Sequence, residues 1–244
     1  GMSIECLPRK GGFSQRHSGV VFQTPYLPKH DTSLHRSAIT VQLIKDDVLK
    51  YTNTTSLNFD LEMRLAINEA RKAFALPAPV PMIHLNDIFK KDLQIWSSSP
   101  GLPWKDLGYK TKDHVRRDPD ATRSIRYFWH RIKHGSDLRP PDCCAFVRSH
   151  LAEFGETKIR AVWGYPMTMT IGEAVYALPL IEAYQCGNYP IAYGYETAVG
   201  GTFKIRNEIS SFAHKTALDF SSFDKTVHAK LVEAAFDILA YNID

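Results

Sequence analysis

Long apolar runs, a leader segment and paired cysteines are what this sequence lacks. No stretch of its 244 residues approaches the roughly 20 consecutive apolar positions needed to cross a bilayer. The first residues, Gly1-Met2-Ser3-Ile4-Glu5-Cys6, do not follow the basic-then-apolar plan of a secretory signal. These two absences predict a soluble intracellular protein with no membrane partner. The four cysteines, Cys6, Cys143, Cys144 and Cys186, form no C-x-x-C pair and are too sparse for a disulfide scaffold, so reduced thiols are expected. A zinc-protease signature is missing too. His130 and His134 lie one helical turn apart, but no Glu stands beside His130 as H-E-x-x-H requires, and the pair reads as a solvated basic helix face. No internal repeat or low-complexity segment is found.

What is present is material for a core: 44% of residues are apolar and 11% aromatic. The formal net charge of +4 is unevenly spread. Between Lys105 and Arg139 there are ten Lys/Arg against five Asp/Glu, interleaved with Tyr109, Tyr127, Phe128 and Trp129. Cations neutralise phosphates and aromatic rings stack on bases, so this region suits contact with nucleic acid.

Along the chain, residues 1–57 are rich in Gly, Pro, Ser, Thr and His and read as loops with short strands such as Ala38–Leu43. This segment is expected to wrap another part of the protein. Asp60 caps an amphipathic helix that presents Met63, Ile67, Ala70 and Phe74 on one face and ends before Pro77, a piece of core scaffolding. Trp96 to Trp104 alternates Pro and Gly and is a shaped loop. A helix is expected to end at Arg139-Pro140-Pro141. Ala145–Arg148 and Lys158–Gly164 read as two strands joined by a turn at Glu153–Glu156, a hairpin carrying cations. Thr170 with Glu173 forms a capping box for a helix through Tyr184, which Pro179 should kink or interrupt. Thr202–Phe212 reads as helix, Lys215–Phe220 as a short strand and Lys225–Ala240 as helix, with Val227, Leu231, Ala235, Ile238 and Leu239 apolar.

The sharpest chemical signal is Leu218-Asp219-Phe220-Ser221-Ser222-Phe223-Asp224, two carboxylates five positions apart. Asp219, expected at a strand's C-terminal end, is a hard oxygen ligand suited to Mg²⁺, with Mn²⁺ as an alternative. Two such ions clamp the reacting phosphate in nucleotidyl transfer, which calls for at least two converging carboxylates. Asp224 is poorly placed to be the second, and hydrogen-bonding a ribose hydroxyl suits it better. Lys158 and Arg160, alternate residues on a strand, would point to one side and offer two cations to a triphosphate.

Taken in order, these segments resemble the RNA-dependent RNA polymerase of partitiviruses, small double-stranded RNA viruses. The resemblance runs from Ser97 to Asp244. Its segments are Ser98–Pro103, Gly108–Lys112, Lys158–Pro166, Ala192–Gly201 and Asp219–Lys225. It implies an α+β right-hand architecture, here the fingers and the first part of the palm. Residues 1–96 would be an N-terminal segment and fingers scaffold, 97–214 fingers with template loop and cationic hairpin, and 215–244 the start of the palm. By the same resemblance Ser98, Ser99, Pro100 and Gly101, with Lys110 and Lys112, guide the template. Lys158, Arg160 and Arg148 meet the incoming nucleotide. Asp219, with Phe220 beside it, holds the metal, and Asp224 helps recognise the ribose. The implied partners are template and nascent RNA, nucleoside triphosphates and a capsid protein, in the virion interior or host cytoplasm.

The departure from the family pattern lies downstream: neither the glycine-containing loop and helix that complete ribose recognition nor a Gly-Asp-Asp hairpin is found. Asp46-Asp47 follows Lys45, lies far upstream and reads as a surface helix or turn start. The expectation is therefore a polymerase fragment, inactive alone and in need of the remaining palm and thumb. Its exposed strand edge should make it prone to aggregate. The alternative is a non-catalytic RNA-binding remnant gripping RNA through Arg116, Arg117, Arg123, Arg126 and Arg131. A reverse transcriptase relative is disfavoured by the polar Asp224 where a bulky steric gate would stand.

Overall fold

In the computed structural model the described residues are 34–37, 39–52, 56–153, 155–197 and 200–244. The loop-rich reading of 1–33, with Cys6, and Ala198 and Val199 of the tyrosine-rich segment lie outside them. Among the described residues the first elements are β1 (Leu34–Arg36) and α1 (Val41–Leu49), followed by a 3₁₀ turn at Lys50–Thr52. Then come α2 (Leu61–Ala73), α3 (Leu85–Ile88), a 3₁₀ turn at Gln94–Ser97, α4 (Lys112–Arg117) and α5 (Pro119–Lys133). Three strands follow, β2 (Cys144–Ser149), β3 (Leu151–Glu153) and β4 (Ile159–Gly164). Helices α6 (Met167–Cys186), α7 (Gly201–Ile209), α8 (Phe223–Thr226) and α9 (Ala229–Ala240) complete it.

The described residues fall into two compact units, one within 34–50 and 146–162, the other within 51–145 and 163–244. In the first, β1 pairs antiparallel with β3, Leu34 opposite Glu153, and the strand β4 pairs with β2. The turn expected at Glu153–Glu156 is closed by the Glu156 N–H donating to the Glu153 carbonyl at 3.0 Å. Of the strand expected over Ala38–Leu43, Ala38 lies outside the described residues and 39–43 are instead the entry to α1. Thr40 Oγ1 accepts from the Leu43 N–H at 3.2 Å, so a β-branched run that suits a strand is turned into helix by its own cap.

In the second unit the core gathers Ile88, Trp96, Val115, Ile125, Met167 and Ile171 from α3 to α6. Each such side chain is worth about 1.5–3 kcal/mol in removal from water. All three core-facing indoles keep a polar partner: Trp96 Nε1 donates to the Lys91 carbonyl at 2.9 Å, Trp104 Nε1 to Thr168 Oγ1 at 3.0 Å, and Trp129 Nε1 to the Thr168 carbonyl at 2.7 Å. Helix α2 forms as expected, with Asp60 accepting from the Met63 N–H at 2.9 Å and with Met63, Ile67, Ala70 and Phe74 half-buried. It is less central than expected, since none of its residues is fully buried.

Four expectations about the helices are revised. Helix α5 stops at Lys133, not at Arg139. Gly135, at φ +77°, lets its N–H and that of Ser136 return to the carbonyls of Ile132 and Arg131 and close the end. Helix α6 starts a turn earlier than the Thr170/Glu173 box, behind Pro166. Thr170 Oγ1 donates back to the Pro166 carbonyl at 3.1 Å, and Glu173 accepts from the Tyr165 hydroxyl. Pro179 does not interrupt α6, because the Val175 carbonyl it leaves without an intrahelical donor accepts from the Ile83 N–H at 3.1 Å. The expected helix Lys225–Ala240 is two, α8 and α9, separated at Val227 and recapped by His228, whose Nδ1 accepts from the Lys230 N–H at 3.1 Å.

Buried Asn242 ties the region after α9 to the end of α2. Its amide donates to the carbonyls of Phe74 and Ile238 and to the Tyr184 hydroxyl at 3.0–3.2 Å, and accepts from the Leu76 N–H at 2.8 Å.

Candidate functional site

The cationic strand is in the first unit. Lys158 and Arg160 are both exposed, with buried Ile159 between them, and Arg148 on β2 is exposed as well. Among the described residues no carboxylate pairs with any of the three. Side chains from the segment before residue 50 fasten the backbone of this strand. Ser37 Oγ accepts from the Lys158 N–H at 2.6 Å, and Asp47 Oδ2 from the Ala161 N–H at 2.7 Å. Asp47 is therefore not the surface residue expected of Asp46-Asp47: it is 3% exposed, while Asp46 is exposed. A carboxylate inside is stabilised by charge-assisted bonds, here from the amide and from Lys50 Nζ at 3.3 Å.

The shaped loop at Ser98–Pro103 is in the second unit. Ser98 and Ser99 are exposed; Pro100 and Gly101 are buried. Lys112 faces the loop, not solvent. It is 8% exposed, and Nζ donates to Ser98 Oγ at 2.8 Å and to the Ser99 carbonyl at 2.6 Å. Burial lowers its pKa. The Lys112 N–H donates to the Ser98 carbonyl at 2.9 Å, and the Met167 N–H to the Pro100 carbonyl at 2.8 Å. Gly101 sits at φ +69°, where a Cβ would fall 2.8 Å from the Tyr165 carbonyl oxygen. Only glycine allows that approach. Lys110 is exposed.

The acidic segment is in the same unit. Residues 214–220 form no strand, contrary to expectation, and Asp219 is not at a strand end: a strand exists only where a neighbour takes its hydrogen bonds, and no described residue does so here. Every residue from Thr202 to Ser221 is exposed, including Asp219, with Phe220 at 68%. The chain turns at Ser222, a non-glycine residue at φ +52°, into α8, which carries Asp224 with its side chain 67% exposed. Asp219 has the hard oxygen donors a divalent ion takes, but among the described residues no group of three or more His, Cys, Asp or Glu is gathered. The donor set is partial. His130 and His134 stack at 4.1 Å on the exposed surface of α5.

The basic region is mostly spoken for. Arg116 and Arg117 both pair with Asp113, at 2.6 and 2.7 Å, and Arg123 pairs with Asp120 at 2.7 Å. Arg126 reaches Asn86 Oδ1 at 3.5 Å, and Arg131 is exposed.

The family model described as viral RNA-dependent RNA polymerase matches residues 21–244. The chain belongs to that family. A curated RNA-directed RNA polymerase of Cryptosporidium parvum virus 1 (strain KSU-1) is 32% identical over 146 residues, which is 59% of this chain and 27% of the relative. The chain thus spans about a quarter of that relative's length. The solved structure of a Sicinivirus 3Dpol RNA dependent RNA polymerase superposes with a TM-score of 0.64 over 87% of this chain and 48% of its own, at 14% identity. That likeness establishes the fold: α+β, the right-hand polymerase architecture, covering part of the polymerase. No described helix is long and apolar enough to cross a membrane.

Sequence reading places Asp47 on the surface and Lys112 against the template and does not reveal the contacts either makes, because these depend on a partner distant in sequence or on burial and leave no local pattern.

Proposed function

We propose that this chain is the fingers and the opening of the palm of a partitivirus-like RNA-directed RNA polymerase, and that it needs the remainder of the palm to turn over. The reaction joins the 3′-hydroxyl oxygen of the growing RNA to the α-phosphorus of a nucleoside triphosphate. The bond to pyrophosphate breaks, and the hydroxyl proton is lost. The observation that carries this reading is the pair Lys158, just before β4, and Arg160 on it, both exposed on either side of buried Ile159, unpaired by described carboxylates and with the backbone fixed by Ser37 and Asp47. Cations held in register can neutralise a triphosphate without reorganising, which is most of what phosphoryl transfer asks of a protein.

Within this reading Lys158, Arg160 and Arg148 hold the triphosphate. Ser98 and Ser99, with Lys110, face the template, while Pro100, Gly101 and Lys112 shape the loop from inside. Asp219, with Phe220, would contribute to holding Mg²⁺ or Mn²⁺, which when bound lowers the charge on the reacting phosphate oxygens. Asp224 hydrogen-bonds the ribose 2′-hydroxyl. Template and nascent RNA are the macromolecular partners, and the polymerase works in a capsid, in the virion or host cytoplasm. The remnant reading, RNA held by the α4 and α5 arginines, is weakened by the carboxylates already paired with Arg116, Arg117 and Arg123.

Equilibrium binding of GTP to the chain tests the proposal. Lys158→Ala and Arg160→Ala should each weaken binding by about tenfold, the worth of one charge-assisted contact. Arg116→Ala and Arg123→Ala should leave it unchanged. Equal losses in all four variants would contradict the assignment.

A further inference from the structure

Lys225 is the residue after Asp224, and its environment differs sharply from that of its neighbour. Its side chain is 4% exposed, against 67% for Asp224, yet the two charges lie 3.4 Å apart. Adjacent side chains on a helix normally diverge, so this approach needs something that holds the ammonium beneath the carboxylate. The ring of Tyr51 is there, with Lys225 Nζ 5.9 Å from its centroid. Tyr51 is itself fixed: its hydroxyl accepts from Trp163 Nε1 at 3.0 Å, and the two rings meet edge to face at 6.3 Å. A buried ammonium is costly unless compensated, and a π face together with a carboxylate compensates it. Below Lys225 the backbone is pinned as well, since its N–H donates to the carbonyl of Ser222 at 2.8 Å.

From this geometry we infer that Tyr51 and Lys225 are positioning residues for Asp224. They set its carboxylate in the orientation that distinguishes a ribonucleotide from a deoxyribonucleotide. The inference rests on the reading of Asp224 as the ribose-sensing group and adds the device that aims it. The indole of Trp163 fixes Tyr51, the ring of Tyr51 seats the Lys225 ammonium, and the ammonium draws the carboxylate to one side of α8. An exposed carboxylate without such a hold would sample several rotamers, and a single hydrogen bond to a hydroxyl discriminates only when its acceptor is already in place.

The test is the ratio of GTP to dGTP affinity for the chain, measured by titration calorimetry in Mn²⁺. Triphosphate and metal contributions are common to both nucleotides, so the ratio isolates the sugar, and general loosening of the fold would lower both affinities together. The expected result is a wild-type preference for GTP that Asp224→Ala abolishes. Lys225→Met and Tyr51→Leu reduce it several-fold, while Lys225→Arg, which keeps the cation, retains most of it. A ratio that stays at the wild-type value in Lys225→Met while collapsing in Asp224→Ala would overturn the inference and leave the role of Asp224 intact. A ratio of one in the wild type, or one unmoved by Asp224→Ala, would overturn the reading of Asp224 itself. Should Tyr51→Leu fail to fold, Lys225→Met and its rescue by Lys225→Arg decide the question.

Discussion

At the scale of single residues, the side chains that organise the candidate site are buried polar groups with few but specific partners. Asp47 satisfies the Ala161 N–H from inside, so Asp47→Ala should destabilise the protein by about 1–3 kcal/mol, the cost of leaving a donor unpaired, and weaken GTP binding with it. Thermal unfolding and the GTP titration check both, and an unchanged melting temperature would deny Asp47 that role. Ser222 adopts a left-handed conformation that costs a non-glycine residue about 1–2 kcal/mol. Ser222→Gly should therefore raise the melting temperature and Ser222→Val lower it. Tyr165 offers a pH test. Burial and its hydrogen bond to Glu173 push its phenol up to about 12 from 10.0. A folded pKa raised above the unfolded one means that the native state keeps its proton longer, so this contribution is complete below pH 10 and is lost as pH rises towards 12. Tyr165→Phe should flatten the alkaline fall of stability over that window; an identical alkaline profile in the variant would contradict it.

At the scale of elements, what could be read from the sequence is what local hydrogen bonding decides. Asp60 and the apolar spacing of Met63, Ile67, Ala70 and Phe74 announce α2, because both cap and stripe lie within a few residues of one another. The pairing of β2 with β4 and the turn between Glu153 and Glu156 were legible for the same reason. Misreadings arise where two local signals compete. The run Ile39-Thr40-Val41 suits a strand until Thr40 is seen to cap a helix, and Thr170 with Glu173 imitates a cap although Pro166 has already started α6. Segment 214–220 is different in kind: a strand there depends on a neighbour that no local pattern reveals. The Ser98–Pro103 loop shows how distant elements fix a backbone, since α4 supplies Lys112 and the start of α6 supplies the Met167 N–H. Gly101→Ala, which sets a Cβ 2.8 Å from the Tyr165 carbonyl oxygen at a strained φ, should loosen this loop and destabilise the unit. Faster amide exchange at Met167 and Lys112 is the expected readout, and exchange as slow as in the wild type would contradict the anchoring.

At the scale of the whole molecule, the surface around the acidic segment is unusually apolar. Phe203, Phe212, Leu218, Phe220 and Phe223 are between 56% and 81% exposed. Apolar surface of this kind, beside an extended backbone with unpaired hydrogen-bonding groups, favours association. Sedimentation velocity should show a mass that rises with concentration, and Leu218→Glu with Phe220→Glu should reduce it; a monomer at all concentrations would contradict that account. The chain spans 48% of the Sicinivirus polymerase and 27% of the Cryptosporidium virus relative, so its own chemistry is best judged with the rest of a polymerase supplied. The most direct test is RNA-templated incorporation of labelled nucleotide by this chain mixed with a second chain carrying the part of a related polymerase that it does not span. The account predicts incorporation in the mixture that Asp219→Ala abolishes. Incorporation that persists with Asp219→Ala would contradict it.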